Sequence, residues 1–215
     1  MSLVPFSQAL RERTWSSHSD SEGADFMSDL MTGAGSREDY VALVAQHYFI
    51  YEPLEAAATQ FASDPVAAPF ISPALTRLPA LESDLEFLLG GAWREEISSV
   101  PATARYAQRI RDVAAEGWAG GFIAHHYTRY LGDLSGGQAI SRLMQRHFGF
   151  DRAGVEFYDF DQIGDAKQFK ETYRDELNAV VWGADERDRV IDEVVAAYRF
   201  NTEVFRDLST AKASS

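Results

Sequence analysis

The chain has 215 residues, of which 46% are hydrophobic and 25% charged, an ordinary globular balance long enough for one domain with a real core. Its 33 Asp and Glu outnumber its 20 Lys and Arg, and the net charge of −13 argues against nucleic acid or anionic lipid as the main partner, since both need a basic footprint. Cysteine is absent, which removes disulfides, thiolate zinc sites, iron–sulfur clusters and cysteine nucleophiles together.

The N-terminal stretch MSLVPFSQALRER lacks a basic start followed by an apolar run, so no secretory signal is expected. No uncharged stretch approaches the ~20 residues that span a bilayer. The expectation is a soluble, cytoplasmic, monomeric protein without a membrane anchor.

The periodicity is helical almost throughout. Phe6, Leu10, Thr14 and His18 recur at i+4 and share one face. Phe26, Met27, Leu30 and Met31 form a short apolar turn ahead of the breaker Thr32-Gly33-Ala34-Gly35. Ser36 and Asp39 make a capping-box pattern at the next helix start, and Tyr40, Leu43, Val44, His47, Tyr48, Tyr51, Leu54 and Phe61 continue it as a long stripe. Residues 64–74 hold three prolines and read as a loop. Ser72-Pro73 then suits a helix start, with Leu75, Leu78, Leu81, Leu85 and Leu88 at helical spacing up to Gly90-Gly91. Pro101 opens another helix with Tyr106, Ile110 and Val113 inward. Residues of roughly 119–148 form the longest helical candidate, ending at Gly149. Lys167 to Val181 is amphipathic, and a last helix carries Val190, Val194, Tyr198, Asn201, Phe205 and Leu208. The pattern predicts one all-α domain of about eight helices over 1–208, with 209–215 as a polar tail.

One segment of the long helix is unusual. Leu131-Gly132-Asp133-Leu134-Ser135-Gly136-Gly137-Gln138 places three glycines within six residues, a local penalty of roughly 3 kcal/mol relative to alanine. Something must offset it. Another helix packing closely at Gly132 and Gly136, a loop between two shorter helices, and a flat ligand lying against bare backbone in a kinked helix all remain open. Asp133 beside these glycines needs a partner, water or a function.

Five histidines are present, and no Glu stands three residues before any of them, so the di-iron carboxylate pattern is absent. A b-type heme needs only one proximal His. His18 has the helical face for it, and Glu22 lies one turn on, where it could orient the other ring nitrogen. An ordinary exposed i,i+4 pair satisfies the same spacing.

At His125 to Gly149 (HHYTRYLGDLSGGQAISRLMQRHFG) the chain resembles the distal helix of heme oxygenases. Thr14 to Leu30 (TWSSHSDSEGADFMSDL) resembles their proximal helix and its sequel. Tyr48–Leu54, Leu81–Trp93, Phe169–Arg174 and Phe200–Leu208 fit as well, so the likeness covers nearly the whole chain, most closely that of the soluble bacterial members. It implies a helical fold holding heme b between a proximal helix and a kinked distal helix. The implied reaction converts heme, oxygen and external reducing equivalents into biliverdin, carbon monoxide and ferrous iron, with the α-meso carbon as the usual site. A ferredoxin or a flavoprotein reductase would be the redox partner. A heme carrier or sensor on the same fold is the competing expectation.

The resemblance also assigns residues. His18 matches the proximal iron ligand and Glu22 the acid near it. Gly132, Ser135, Gly136 and Gly137 match the distal segment that meets the porphyrin. Asp133 matches the distal carboxylate that holds a water network, and Tyr51, Arg129 and Asn201 fall where the family extends it. Arg11, Tyr127, Lys170 and Arg174 match positions that meet the heme propionates. Trp15 departs from the pattern, standing where many relatives have a second Lys, which weakens the expected cation cluster.

Overall fold

The computed structural model describes residues 4–22 and 25–213, the side chains of 19–22 excepted. Among the described residues there is no strand. Ten α-helices are joined by short 3-10 turns: α1 Phe6–Glu22, α2 Asp25–Thr32, α3 Arg37–Gln60, α4 Leu78–Leu89, α5 Trp93–Glu96, α6 Pro101–Ala115, α7 Ala119–His126, α8 Gly132–Phe148, α9 Ala166–Ala179 and α10 Ala184–Ala213. The two helices beyond the expected eight come from α5, a four-residue turn too short for periodicity to reveal, and from the division of the long central helix into α7 and α8.

The caps expected from the sequence form. Ser36 and Asp39 exchange hydrogen bonds with each other's backbone amides at the start of α3. Gly149 ends α8 in the left-handed region at φ +71°, a backbone that glycine adopts without strain. The helix expected after Ser72-Pro73 starts later. Ser72 caps only a 3-10 turn, Pro73–Leu75, and α4 begins at Leu78. There Pro79 brings no amide, and the Glu55 carboxylate accepts the free N–H groups of Arg77 and Leu78. A tertiary partner 22 residues away in sequence therefore sets this boundary.

The C-terminal end also departs from expectation. Helix α10 runs on through Ala213, past the expected start of a polar tail at 209. Lys212 holds it there, with Nζ 2.9 Å from Asp39 and 3.5 Å from Asp29.

The core lies between α3, α6, α7 and α10. Helix α10 packs on α1, α2, α6 and α7, and α1 packs on α9 and α10. Buried Tyr40, Leu43, Ile50, Tyr51 and Leu54 give α3 its inward stripe. The segment after α8 is pinned by a buried carboxylate: Asp84 accepts the amides of Gly154, Glu156 and Phe157 at 2.8–2.9 Å. Burial pushes the Asp84 carboxyl up to about 6 despite these donors. The pinned turn sets Phe157 and Tyr158 against α3 and α8.

Candidate active site

The hydrogen bonding of the central helix changes part-way along it. Between α7 and α8 the residues Tyr127–Leu131 form a π-helical segment, directly before Gly132. A π segment inserts an extra residue per turn, and such segments recur at functional sites.

The three glycines do different work. At Gly132 and Gly136, no described atom beyond the local helix backbone lies within 4 Å of where a Cβ would stand. That rules out a closely packed helix at these positions, and the α-helical backbone rules out a loop. An open face one turn long remains, the surface a flat ligand would need. Gly137 points elsewhere. Its Cβ would stand 2.8 Å from Cδ1 of Tyr158, so close packing, not a ligand, demands glycine there.

Asp133 stands beside this face. The Tyr51 hydroxyl donates to its Oδ2. Burial raises the carboxyl pKa, while Arg129, the Tyr51 hydrogen bond and Arg77 pull it back. Arg129 lies fully inside, its guanidinium 5.2 Å from the Tyr51 ring centroid, with Nη1 donating to Oδ1 of Asn201 at 3.1 Å. Burial opposes its charge, but Tyr51 and Asp133 reverse the balance and keep it protonated. Asp133, Tyr51, Arg129 and Asn201 are thus brought together from three separate helices and the π segment.

Three buried polar atoms near this cluster have no hydrogen-bond partner among the described residues: the Tyr106 and Tyr158 hydroxyls and Nε of Arg129. Such atoms are costly unless water or a ligand satisfies them. His47, Tyr106 and Tyr158 were not expected at the site. His47 and Tyr106 read in sequence as members of apolar stripes, Tyr158 lies in a short 3-10 turn, and only the orphaned or paired heteroatoms in three dimensions reveal the three.

On α1, His18 is partly buried. The Trp15 ring lies parallel to it at 5.8 Å and 10°, and Tyr198 meets it edge-on at 5.4 Å and 75°. Trp15 itself is 57% exposed. The side chain of Glu22 lies outside the described residues. Burial raises the Tyr127 hydroxyl pKa, and the charges of Arg174 and Arg11 pull it down. Lys170 donates to the Ser135 hydroxyl at 3.1 Å, and that hydroxyl donates to the Leu131 carbonyl at 2.6 Å.

A family model, Heme oxygenase, matches residues 4–207. Heme oxygenase 1 of Synechocystis is 36% identical over 205 residues, covering 95% of this chain and 85% of the relative. The chain belongs to the heme oxygenase family. Human heme oxygenase 1 is 37% identical over 205 residues, covering 94% of this chain and 71% of the human protein. The crystal structure of the Synechocystis heme oxygenase-1, solved in complex with heme, superposes with a TM-score of 0.91, at 35% identity over 98% of this chain and 96% of that one. The activity of the family, oxidative degradation of heme, is therefore the activity of this enzyme. The all-α fold expected from the sequence is that of its relatives. No helix among the described residues is long and apolar enough to cross a membrane.

Proposed function

We propose that heme binds between α1 and α8, with His18 as the axial ligand and the open backbone at Gly132 and Gly136 against the opposite porphyrin face. The donor set suits the group. A neutral imidazole on iron avoids the thiolate push toward O–O cleavage, and the chain has no cysteine to supply one. Ser135 flanks the glycine face, with Lys170 on its hydroxyl. Arg11, Lys170, Arg174 and the Tyr127 hydroxyl would hold the propionates, giving an acidic protein a local cationic edge. Glu22 would act near His18.

Bound heme supplies the iron that binds and reduces oxygen, and it is consumed as substrate. The protein supplies position and protons. Asp133, fixed by Tyr51, would order water beside the open face, and water-mediated hydrogen bonds position nearly as well as direct ones. The free hydroxyls of Tyr106 and Tyr158 and the Arg129 Nε suit that water. The missing side chains at Gly132 and Gly136 let the backbone crowd one side, directing attack to one meso carbon, the α position by family resemblance. The products are biliverdin, carbon monoxide and ferrous iron. Oxygen is the second substrate, and a ferredoxin or flavoprotein reductase supplies electrons from outside. We assign a monomer in the cytoplasm, as a single domain over 1–208.

The observation that carries this reading is the Tyr51–Asp133 contact beside two glycines whose faces are open. Anaerobic heme titration followed by one turnover with reductant and oxygen tests it. Loss of the Soret band with release of one biliverdin isomer is expected. Heme bound and left intact would instead support a carrier or sensor.

A further inference from the structure

Arg129 is fixed from two sides. Nη1 donates to Asn201 on α10, and Nη2 meets Nδ1 of His47 on α3 at 3.1 Å. We propose that His47 is a positioning residue of the distal network, its unprotonated Nδ1 orienting the Arg129 guanidinium toward Tyr51 and Asp133.

The chemistry of the contact leaves one arrangement. Arginine has only donors, so Nδ1 of His47 must accept, and the ring proton must sit on Nε2. A protonated imidazole would set N–H against N–H and charge against charge. The surroundings agree with the neutral form: burial and the Arg129 charge both lower the His47 pKa well below its ordinary value. The ring is 7% exposed and stacks on Phe157 at 4.9 Å and 27°, which fixes its plane.

Spacing gives the arrangement its logic. His47 and Tyr51 are i,i+4 on α3 and so share a face. One face of one helix thereby reaches Asp133 twice. Tyr51 donates to it directly, and His47 acts through Arg129, the strongest of the neighbours that pull the Asp133 carboxyl down against burial. A residue of equal bulk without an acceptor would leave Nη2 facing an apolar wall and free the guanidinium to turn about its remaining tie to Asn201.

This inference rests on the reading of Asp133 as the distal carboxylate, but its test does not depend on turnover. In heme-free protein with 13C-labelled aspartate, the Asp133 carboxyl is assigned with Asp133→Asn and titrated by NMR. His47→Leu keeps the bulk and removes the acceptor. His47→Asn puts an amide oxygen near the place of Nδ1. The expected result is an Asp133 midpoint raised by about one unit in His47→Leu and returned to the wild-type value in His47→Asn. His47→Met and His47→Gln repeat the contrast on unbranched side chains, so that misfolding of the Leu variant leaves a comparison standing. A midpoint unchanged in both acceptor-free variants, or raised equally in the acceptor-bearing ones, overturns the proposal. If Asp133 titrates as expected yet proves dispensable for biliverdin formation, the functional reading falls and the role of His47 stands.

Discussion

The Tyr51 hydroxyl donates to Oδ2 of Asp133, joining α3 to α8 across 82 positions of sequence. The contact answers the question posed by an acid among glycines: Asp133 has a built partner. Because burial raises its pKa and three neighbours lower it, the carboxyl is held in balance. Tyr51→Phe removes one of the lowering contacts without changing bulk. The acid limb of biliverdin formation should then move to higher pH by about one unit, since the carboxyl will take up its proton earlier on acidification. A pH–rate profile of both proteins checks the shift.

The glycines separate ligand face from packing face by stability alone. Gly136→Ala places a methyl in open space, so the heme-free protein should gain about 0.5–1 kcal/mol from helix propensity while binding heme more weakly. Gly137→Ala drives a Cβ to 2.8 Å from Tyr158 and should cost about 1–3 kcal/mol. Thermal unfolding of the heme-free variants, with heme titration beside it, should give opposite signs in stability for neighbouring residues.

An ion cluster around Glu193 predicts how stability varies with pH. Glu193 on α10 takes a bidentate pair from Arg109 at 2.8 and 2.9 Å and lies 2.9 Å from Nε2 of His125. Burial alone would raise its carboxyl, but His125 and Arg109 bring it down to about 2 from 4.5. A depressed folded pKa stabilises above the unfolded value and loses that contribution as pH falls through the folded one. Glu193→Gln should therefore cost about 2–3 kcal/mol at pH 7. The gap from wild type should close between about pH 4.5 and 2. Denaturant unfolding across that range reads it.

Much of this was legible in sequence because local chemistry wrote it there. The capping box at Ser36, the stop at Gly149 and the inward stripe of α3 depend on residues a few positions apart. The open face at Gly132 and Gly136 was legible as an anomaly, glycines where a helix should avoid them. What sequence could not show was set by distant partners. Glu55 moves the start of α4, Lys212 extends α10, and Tyr158 gives Gly137 a reason of its own. His47 was hidden for the same reason. On a helical stripe an imidazole has the same period as a leucine, and only the position of Arg129 gives its nitrogen a task.

If Asp133 directs oxygen chemistry onto the ring, as proposed, a single turnover of Asp133→Ala reads its role most directly. The variant is titrated with heme, then given reductant and oxygen, and the pigment is extracted and quantified against wild type. The expected result is heme binding with an unchanged His-ligated spectrum, little or no biliverdin, and a rise in peroxidase-type oxidation of an added phenol. A wild-type yield of biliverdin from Asp133→Ala would contradict it.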